Sequence, residues 1–322
     1  MLVGKQLILA TRQFAKENRR KSWVYTISTL LFLSVSLVGT LINFHLSLQI
    51  VASIFSGLLI VRMFVIYHDY VHEAILQHSS LAKFIFTLFG MYVLAPTSIW
   101  RRSHNHHHNH NSKLFSASIG SYPIFTKSKF EKCSHWEKKR YLMIRHPITI
   151  LFGYISTFMY GMCIQPMINS FSKHVDSLYA LILHFSVQGI ILYFFGWQSF
   201  LLFSIIPHFI SGAFGAYLFY VQHNFPGVTF SGDAEWTYEG AALDSSSYIE
   251  LNSFLRWVTA NIGYHHIHHL NARIPFYRLP EVMDHYEELQ NPKKISFMPG
   301  DIIACLKLKV WDHEKKQMTG LV

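Results

Sequence analysis

Apolar positions in this chain fall into long, nearly uncharged blocks. Residues 23–44 and 48–67 form the first two, separated only by His45, Leu46 and Ser47; four more cover 81–100, 148–168, 178–197 and 199–221. A helix rises ~1.5 Å per residue, so ~20 residues cross a ~30 Å hydrocarbon core. The first two blocks therefore predict one membrane hairpin. Blocks 178–197 and 199–221 predict another, turning at Gly196, Trp197 and Gln198. Of the 28 Lys and Arg residues, six precede Trp23, ten lie between Arg101 and Arg145, and nine follow His223. Basic loops between apolar blocks mark cytoplasmic faces, so the hairpin ends belong there. Histidines cluster at 68–72, 104–108, 223 and 265–269. If these share one face, an even number of crossings separates each from the next, and 81–100 and 148–168 must lie in the interface or re-enter. The expectation is an all-α integral membrane protein, one domain over 1–322. It has about four transmembrane helices in two hairpins and a cytoplasmic helical cap from 101–147 and 222–322. Beyond residue 221 the pattern predicts turns at Phe225-Pro226-Gly227 and Phe230-Ser231-Gly232-Asp233, a helix over 253–270 and a solvated, charged tail over 281–322.

Composition supports this class. The chain is 51% hydrophobic and 14% charged, where a soluble domain carries about a quarter charged residues. The net charge of +10 does not require nucleic acid, because the basic residues gather on the loops. A basic start followed by an apolar run resembles a secretory signal, but it is too long and has no small-residue cleavage site. Cys133, Cys163 and Cys305 form no CxxC pair and read as free thiols on a reducing side. The unusual count is 21 histidines against 18 Asp and Glu together.

These histidines are patterned. His68-Asp69-Tyr70-Val71-His72 places two at i and i+4, on one helical face. His104, His107 and His108 form an HxxHH box, as do His265, His268 and His269. His223 stands alone between Gln222 and Asn224. A zinc site closes with four ligands, so nine imidazoles suit two metals with positions left open. Imidazole alone does not choose among iron, copper, zinc and nickel. A site just outside the bilayer faces acyl chains or sterols, and oxidising an unactivated C–H bond requires redox chemistry that side chains lack. That excludes zinc.

HDYVH, HNHHH, Phe219-Tyr220-Val221-Gln222-His223, and Asn261-Ile262-Gly263-Tyr264 running into HHIHH resemble the membrane fatty acid desaturases, the bacterial acyl-lipid enzymes above all. The resemblance covers about 67–279. It implies a non-haem di-iron centre, oxygen as co-substrate, two electrons from a separate donor, and a cis double bond inserted into an acyl chain that is most readily lipid-linked. The implied metal ligands are His68, His72, His104, His107, His108, His223, His265, His268 and His269. Tyr70, Val71 and Glu73 depart from the smaller residues usual in the first box, which bears on chain-length or positional preference. The resemblance also implies a bacterial inner membrane, with the boxes facing the cytoplasm, although the sequence would equally suit an endoplasmic reticulum.

His106, His110 and His266 fall off the pattern, although His106 and His110 also stand at i, i+4. His45, His78, His184, His208 and His285 read as hydrogen-bonded or interfacial side chains. Asp69, Asn105, Asn224, Glu235, Asp244 and Asn261 are placed to hold ligand imidazoles from behind. Trp100, Trp236 and Trp257 read as tunnel walls or as interfacial anchors. The chain has no glycine fingerprint for flavin or nicotinamide, no cysteine set for an iron–sulfur cluster and no HPGG haem motif. Its electrons must come from another protein, such as a ferredoxin or b-type cytochrome. The basic run 127–145 suits either such a donor or anionic lipid. The rival readings are a di-iron hydroxylase or ketolase, and a membrane metal transporter. Transporters place their sites near the midplane on broken helices, whereas these clusters sit at span ends.

Overall fold

The first two apolar blocks fold as the helices Arg19–Leu41 and Leu46–Val71 in a computed structural model that describes residues 2–42, 45–114, 121–232 and 234–321. Phe44, the expected end of the first block, and Asp233 of the second turn lie outside the described residues. Asn18 starts the first helix by accepting from the Lys21 amide at 3.0 Å, an N-cap bond. The helix turns Ser22, Thr26, Thr29, Ser36 and Thr40 inward, and leaves Val24, Leu31, Val35 and Val38 exposed. Small polar residues inside and large apolar ones outside suit a lipid-facing helix, whose partners approach through small side chains. Ser36 donates across the hairpin to the Ala52 carbonyl at 3.0 Å.

The chain divides into two compact units. One comprises Met1–Lys16, Arg102–Ile150 and Tyr217–Val322; the other comprises Glu17–Arg101 and Leu151–Ala216. The second contains the apolar hairpin and the helix Ser80–Tyr92, after which the backbone turns by 90° before Thr97–His110 begins. Leu94, at φ 59°, lies in that break. The later apolar blocks form a 47-residue stretch, Val175–Val221. At ~1.5 Å per residue this is roughly twice a hydrocarbon core, and Gly196 breaks it with φ 77° and ψ −179°. Among the described residues, three stretches are thus long and apolar enough to cross a membrane, or four if the bent pair counts as one.

His184 and His208 are hydrogen-bonded inside this second unit, as expected. His184 Nδ1 donates to the Tyr92 carbonyl at 2.9 Å and its Nε2 accepts from the Tyr154 hydroxyl at 2.6 Å. His208 Nδ1 donates to the Ser204 carbonyl at 2.8 Å. Gly153 and Gly212 let two helical segments touch. A Cβ on Gly212 would lie 2.5 Å from the Tyr154 nitrogen, and one on Gly153 would lie 2.3 Å from the Gly212 carbonyl oxygen. Gly212→Val is expected to destabilise the protein by about 1–3 kcal/mol through overpacking, read as a lowered thermal midpoint in detergent. An unchanged midpoint would contradict this close approach.

The first unit is not purely helical. Phe125–Thr126 pairs in parallel with Val310–Asp312, which pairs antiparallel with Gln317–Thr319; Tyr248–Glu250 pairs in parallel with Lys294–Ser296. Strands of two or three residues carry no alternation to read, and they depart from the all-α expectation for this part of the chain. The tail is not simply solvated either, since Val282, Leu289, Cys305, Val310 and Trp311 are buried. The helix expected over 253–270 is two short ones, Ser253–Val258 and His265–Leu270. Between them Ala260 and Asn261 adopt φ 42° and 60°, and a Cβ on Gly263 would meet the Ile249 carbonyl at 2.9 Å.

Candidate metal centre

Within the first unit, three separate pieces of chain bring imidazoles together. The C-terminal half of Thr97–His110 carries the second box. His223 follows directly on the helix ending at Val221, and its amide donates to the Tyr220 carbonyl at 3.4 Å. The third box is the helix His265–Leu270, every residue of which is buried. The ligand atoms of His107, His223, His265 and His269 lie within 4.8 Å of one another. Nε2 of His223 is 3.0 Å from Nε2 of His107 and 3.0 Å from Nε2 of His265, and His265 and His269 are 3.1 Å apart. At a metal–imidazole bond of about 2.0–2.1 Å, ligand nitrogens around one ion stand ~3–3.4 Å apart, so this spacing fits ligation.

The His223 tautomer fits as well. Its Nδ1 lies 2.9 Å from the Ser245 carbonyl, which can only accept, so Nδ1 carries the proton. That leaves the Nε2 lone pair turned toward His107 and His265, the outer-partner arrangement that fixes ligand imidazoles. A second set lies beside the first: Nε2 of His108 is 3.2 Å from that of His104 and 3.1 Å from that of His268. The His108 and His269 rings stack at 4.1 Å with 13° between planes, joining the two sets. In the other unit, the rings of His68 and His72 stand 4.6 Å apart at the end of Leu46–Val71. Asp69, itself buried, holds His68 Nδ1 at 3.2 Å. Glu73 closes this helix at φ 59°, a left-handed terminating position.

Burial favours the neutral form of His223 and His269. It pushes His223 down to about 4. His269 goes well below its ordinary value, through burial first and then the neighbouring His108, His265, His223 and His107. An unfolded histidine protonates near 6.5, so between about 6.5 and 4 the metal-free unfolded chain binds more protons than the folded one. Stability rises with pH wherever the unfolded state binds more protons, and it therefore falls on acidification through that window. The metal-free protein is expected to melt lower at about pH 5.5 than at about pH 7.5; equal midpoints would contradict this.

The off-pattern histidines stay outside both groups. The His106 and His110 rings stack on each other at 4.1 Å, and His110 Nδ1 donates to the His106 carbonyl at 2.9 Å. His266 is turned to the Leu289 carbonyl at 3.4 Å. Of the expected outer partners, Asn261 donates to the Phe276 carbonyl and Asp244 pairs with Lys293 at 3.3 Å. Trp236 donates to the Asn111 carbonyl at 2.8 Å. The residues that sequence reasoning missed are Ser245, which acts through its backbone, and Arg145. The Arg145 side chain is fully buried and donates to Pro123, Tyr220, Leu308 and Asn224. A small cavity of about 20 Å³ is lined by Arg145, Asn224, His107 and His223.

A family model described as fatty acid desaturase matches residues 45–299. The chain is 30% identical to a fatty acid desaturase of Bacillus subtilis, over 98% of this chain and 90% of that protein. It is 25% identical to the sn-1 oleoyl-lipid 12-desaturase of Anabaena variabilis, over 82% and 75% of the two chains. Identity is also 25% to the sn-1 acyl-lipid omega-3 desaturase (ferredoxin) of Synechocystis sp., over 69% and 63%.

Proposed function

The chain belongs to the fatty acid desaturase family and is an oxidoreductase that desaturates fatty acyl chains, and on that premise we propose that its histidines hold two iron ions, that dioxygen is the oxidant and that the double bond formed is cis. The ligands in this reading are His68, His72, His104, His107, His108, His223, His265, His268 and His269. The observation that carries it is the His223 imidazole, whose proton is held at Nδ1 by the Ser245 carbonyl while its Nε2 faces His107 and His265. Iron with dioxygen supplies the one-electron oxidising power that side chains lack. The protein's own work is to keep the imidazoles neutral, exclude water and present one carbon pair of a bound chain.

We further propose four transmembrane helices, with the Val175–Val221 stretch crossing twice about Gly196, 81–100 and 148–168 lying in the interface or re-entering, and 101–147 with 222–322 forming a cytoplasmic cap. The exposed apolar side chains of Arg19–Leu41, together with Tyr193, Phe194 and Trp197 near Gly196, support this arrangement in a membrane, by this reading the bacterial inner membrane. The substrate is a lipid-linked acyl chain, as the names of the cyanobacterial relatives suggest. The donor is a separate ferredoxin or b-type cytochrome.

The test is gas chromatography–mass spectrometry of total fatty acids from a host without desaturases, comparing wild type with His268→Ala, with and without oxygen. A new cis-unsaturated acid that requires both His268 and oxygen is expected. A hydroxy acid in its place would transfer the site to the hydroxylase reading. No new acid from an iron-loaded protein supplied with a donor would exclude bulk acyl chains as substrate.

A further inference from the structure

The basic run that begins at Lys127 forms one wall of an open groove of about 920 Å³ in the first unit. The helix His135–Ile144 makes this wall, started by a capping box between Ser134 and Glu137, which satisfies two orphan amides at its first turn. The facing wall is the C-terminal strand pair Val310–Asp312 and Gln317–Thr319 with its connecting turn. Lys127, Lys138, Lys139 and Lys315 line the groove, and Leu142 and Met143 give it an apolar floor. Among the described residues that line it, only Glu131 and Asp312 oppose these charges, and Asp312 already faces Lys127 at 4.0 Å.

Behind the groove lies a short connected path to the histidines. His146 and Met143 line the groove, and Arg145 between them turns inward. The Arg145 guanidinium donates to Asn224, the residue covalently next to His223. One side chain, one hydrogen bond and one peptide unit thus join the groove wall to a candidate ligand. Desaturation makes this path relevant. Turning CH2–CH2 into CH=CH yields two electrons and two protons, and reducing O2 to two waters takes four of each. Two electrons and two protons must therefore enter from outside, and the sequence has no flavin or nicotinamide fingerprint, iron–sulfur cysteine set or HPGG motif to supply the electrons.

We propose that this groove is the docking surface for an acidic, one-electron protein donor, with electrons entering beside Arg145 and passing by way of Asn224 toward His223. The inference rests on the desaturase reading. Lysines on two opposed walls complement a protruding acidic loop with an apolar tip, whereas a planar layer of lipid headgroups meets only one rim. Charges of this kind govern encounter rate and salt dependence.

Binding tests the proposal without reference to turnover or iron. The detergent-solubilised full chain would be titrated with an oxidised acidic [2Fe–2S] plant-type ferredoxin and with an acidic cytochrome b5 haem domain. The chains compared are wild type, Lys138→Glu/Lys139→Glu, Lys315→Glu, and the charge-matched control Lys83→Glu/Lys173→Glu in the other unit. Wild type is expected to bind one of the two probes, less tightly as salt rises. The groove variants should weaken that binding about tenfold or more, with the control unchanged and all melting as wild type does. No binding of either probe to wild type, or equal losses in groove and control variants, would overturn it. So would groove variants that keep donor binding but lose sedimentation with phosphatidylglycerol vesicles, since the face would then be a lipid contact. Loss of acyl product in the preceding experiment with donor binding intact would count against the desaturase reading and leave the groove standing.

Discussion

Replacing His269 with alanine is expected to abolish detectable acyl product and to lower bound iron from two per chain to one or fewer. His269 Nε2 stands 3.1 Å from that of His265, and its ring stacks on His108 at 4.1 Å, so its loss disturbs both sets of imidazoles. Loss of an outer partner typically costs ~10–100-fold in metal affinity or activity; loss of a ligand shared in this way should exceed that range. His106→Ala is the matched control. It lies one residue from His107, but its ring stacks on His110 instead, and it should leave iron and product unchanged. Iron would be counted by inductively coupled plasma mass spectrometry on purified protein and product by gas chromatography. A His269→Ala protein retaining two irons, or a His106→Ala protein losing one, would show that the ligand frame in the second and third boxes is wrong.

That control also marks what was legible in the sequence. His104, His107 and His108 share a helical face at i, i+3 and i+4, and His106 with His110 share another; pattern alone left both frames open. Within the first unit, packing favours the first frame: the face of Thr97–His110 that carries His107 meets His223 and the third box, while His106 stacks on His110. The long apolar helices were legible for a simpler reason. Length and the absence of charge suffice to identify them, and Gly196 breaks the last one where the Gly196-Trp197-Gln198 turn was expected.

Other features depend on contacts that no local pattern encodes. The helix expected over 253–270 is interrupted because the Ile249 amide takes the Gly263 carbonyl at 2.9 Å and Asn261 reaches Phe276, both through residues distant in sequence. The partner of His223 is the carbonyl of Ser245, and a carbonyl belongs to every residue type. Asp69, which did stand out, holds His68 as expected because its carboxylate is adjacent in the chain and costly to leave without a partner.

Arg145→Met is expected to destabilise the protein by about 3–5 kcal/mol. The guanidinium reaches Pro123 at 3.0 Å, Leu308 at 3.1 Å and Tyr220 at 3.3 Å, and it also donates to Asn224. Among the described residues no carboxylate pairs with it, so its charge is balanced by neutral dipoles and by the Tyr220 ring, 5.0 Å from the guanidinium carbon. Two effects oppose each other. Methionine removes a buried cation whose desolvation is unfavourable, and it takes a donor from four acceptors, of which Leu308 keeps the Tyr220 hydroxyl at 3.1 Å, so up to three are stranded at about 1–3 kcal/mol each. The second should win, because these acceptors were arranged around a planar fork and an apolar chain cannot satisfy them. Arg145→Lys keeps the charge but offers one compact ammonium, which cannot span the same acceptors, so its stability should stay nearer to methionine than to arginine. Equilibrium unfolding in mild detergent would read the difference. If Arg145→Met were as stable as wild type, the desolvation penalty would outweigh the bonds, and Arg145 would be held in place for what it does at the histidines rather than for what it adds to the fold.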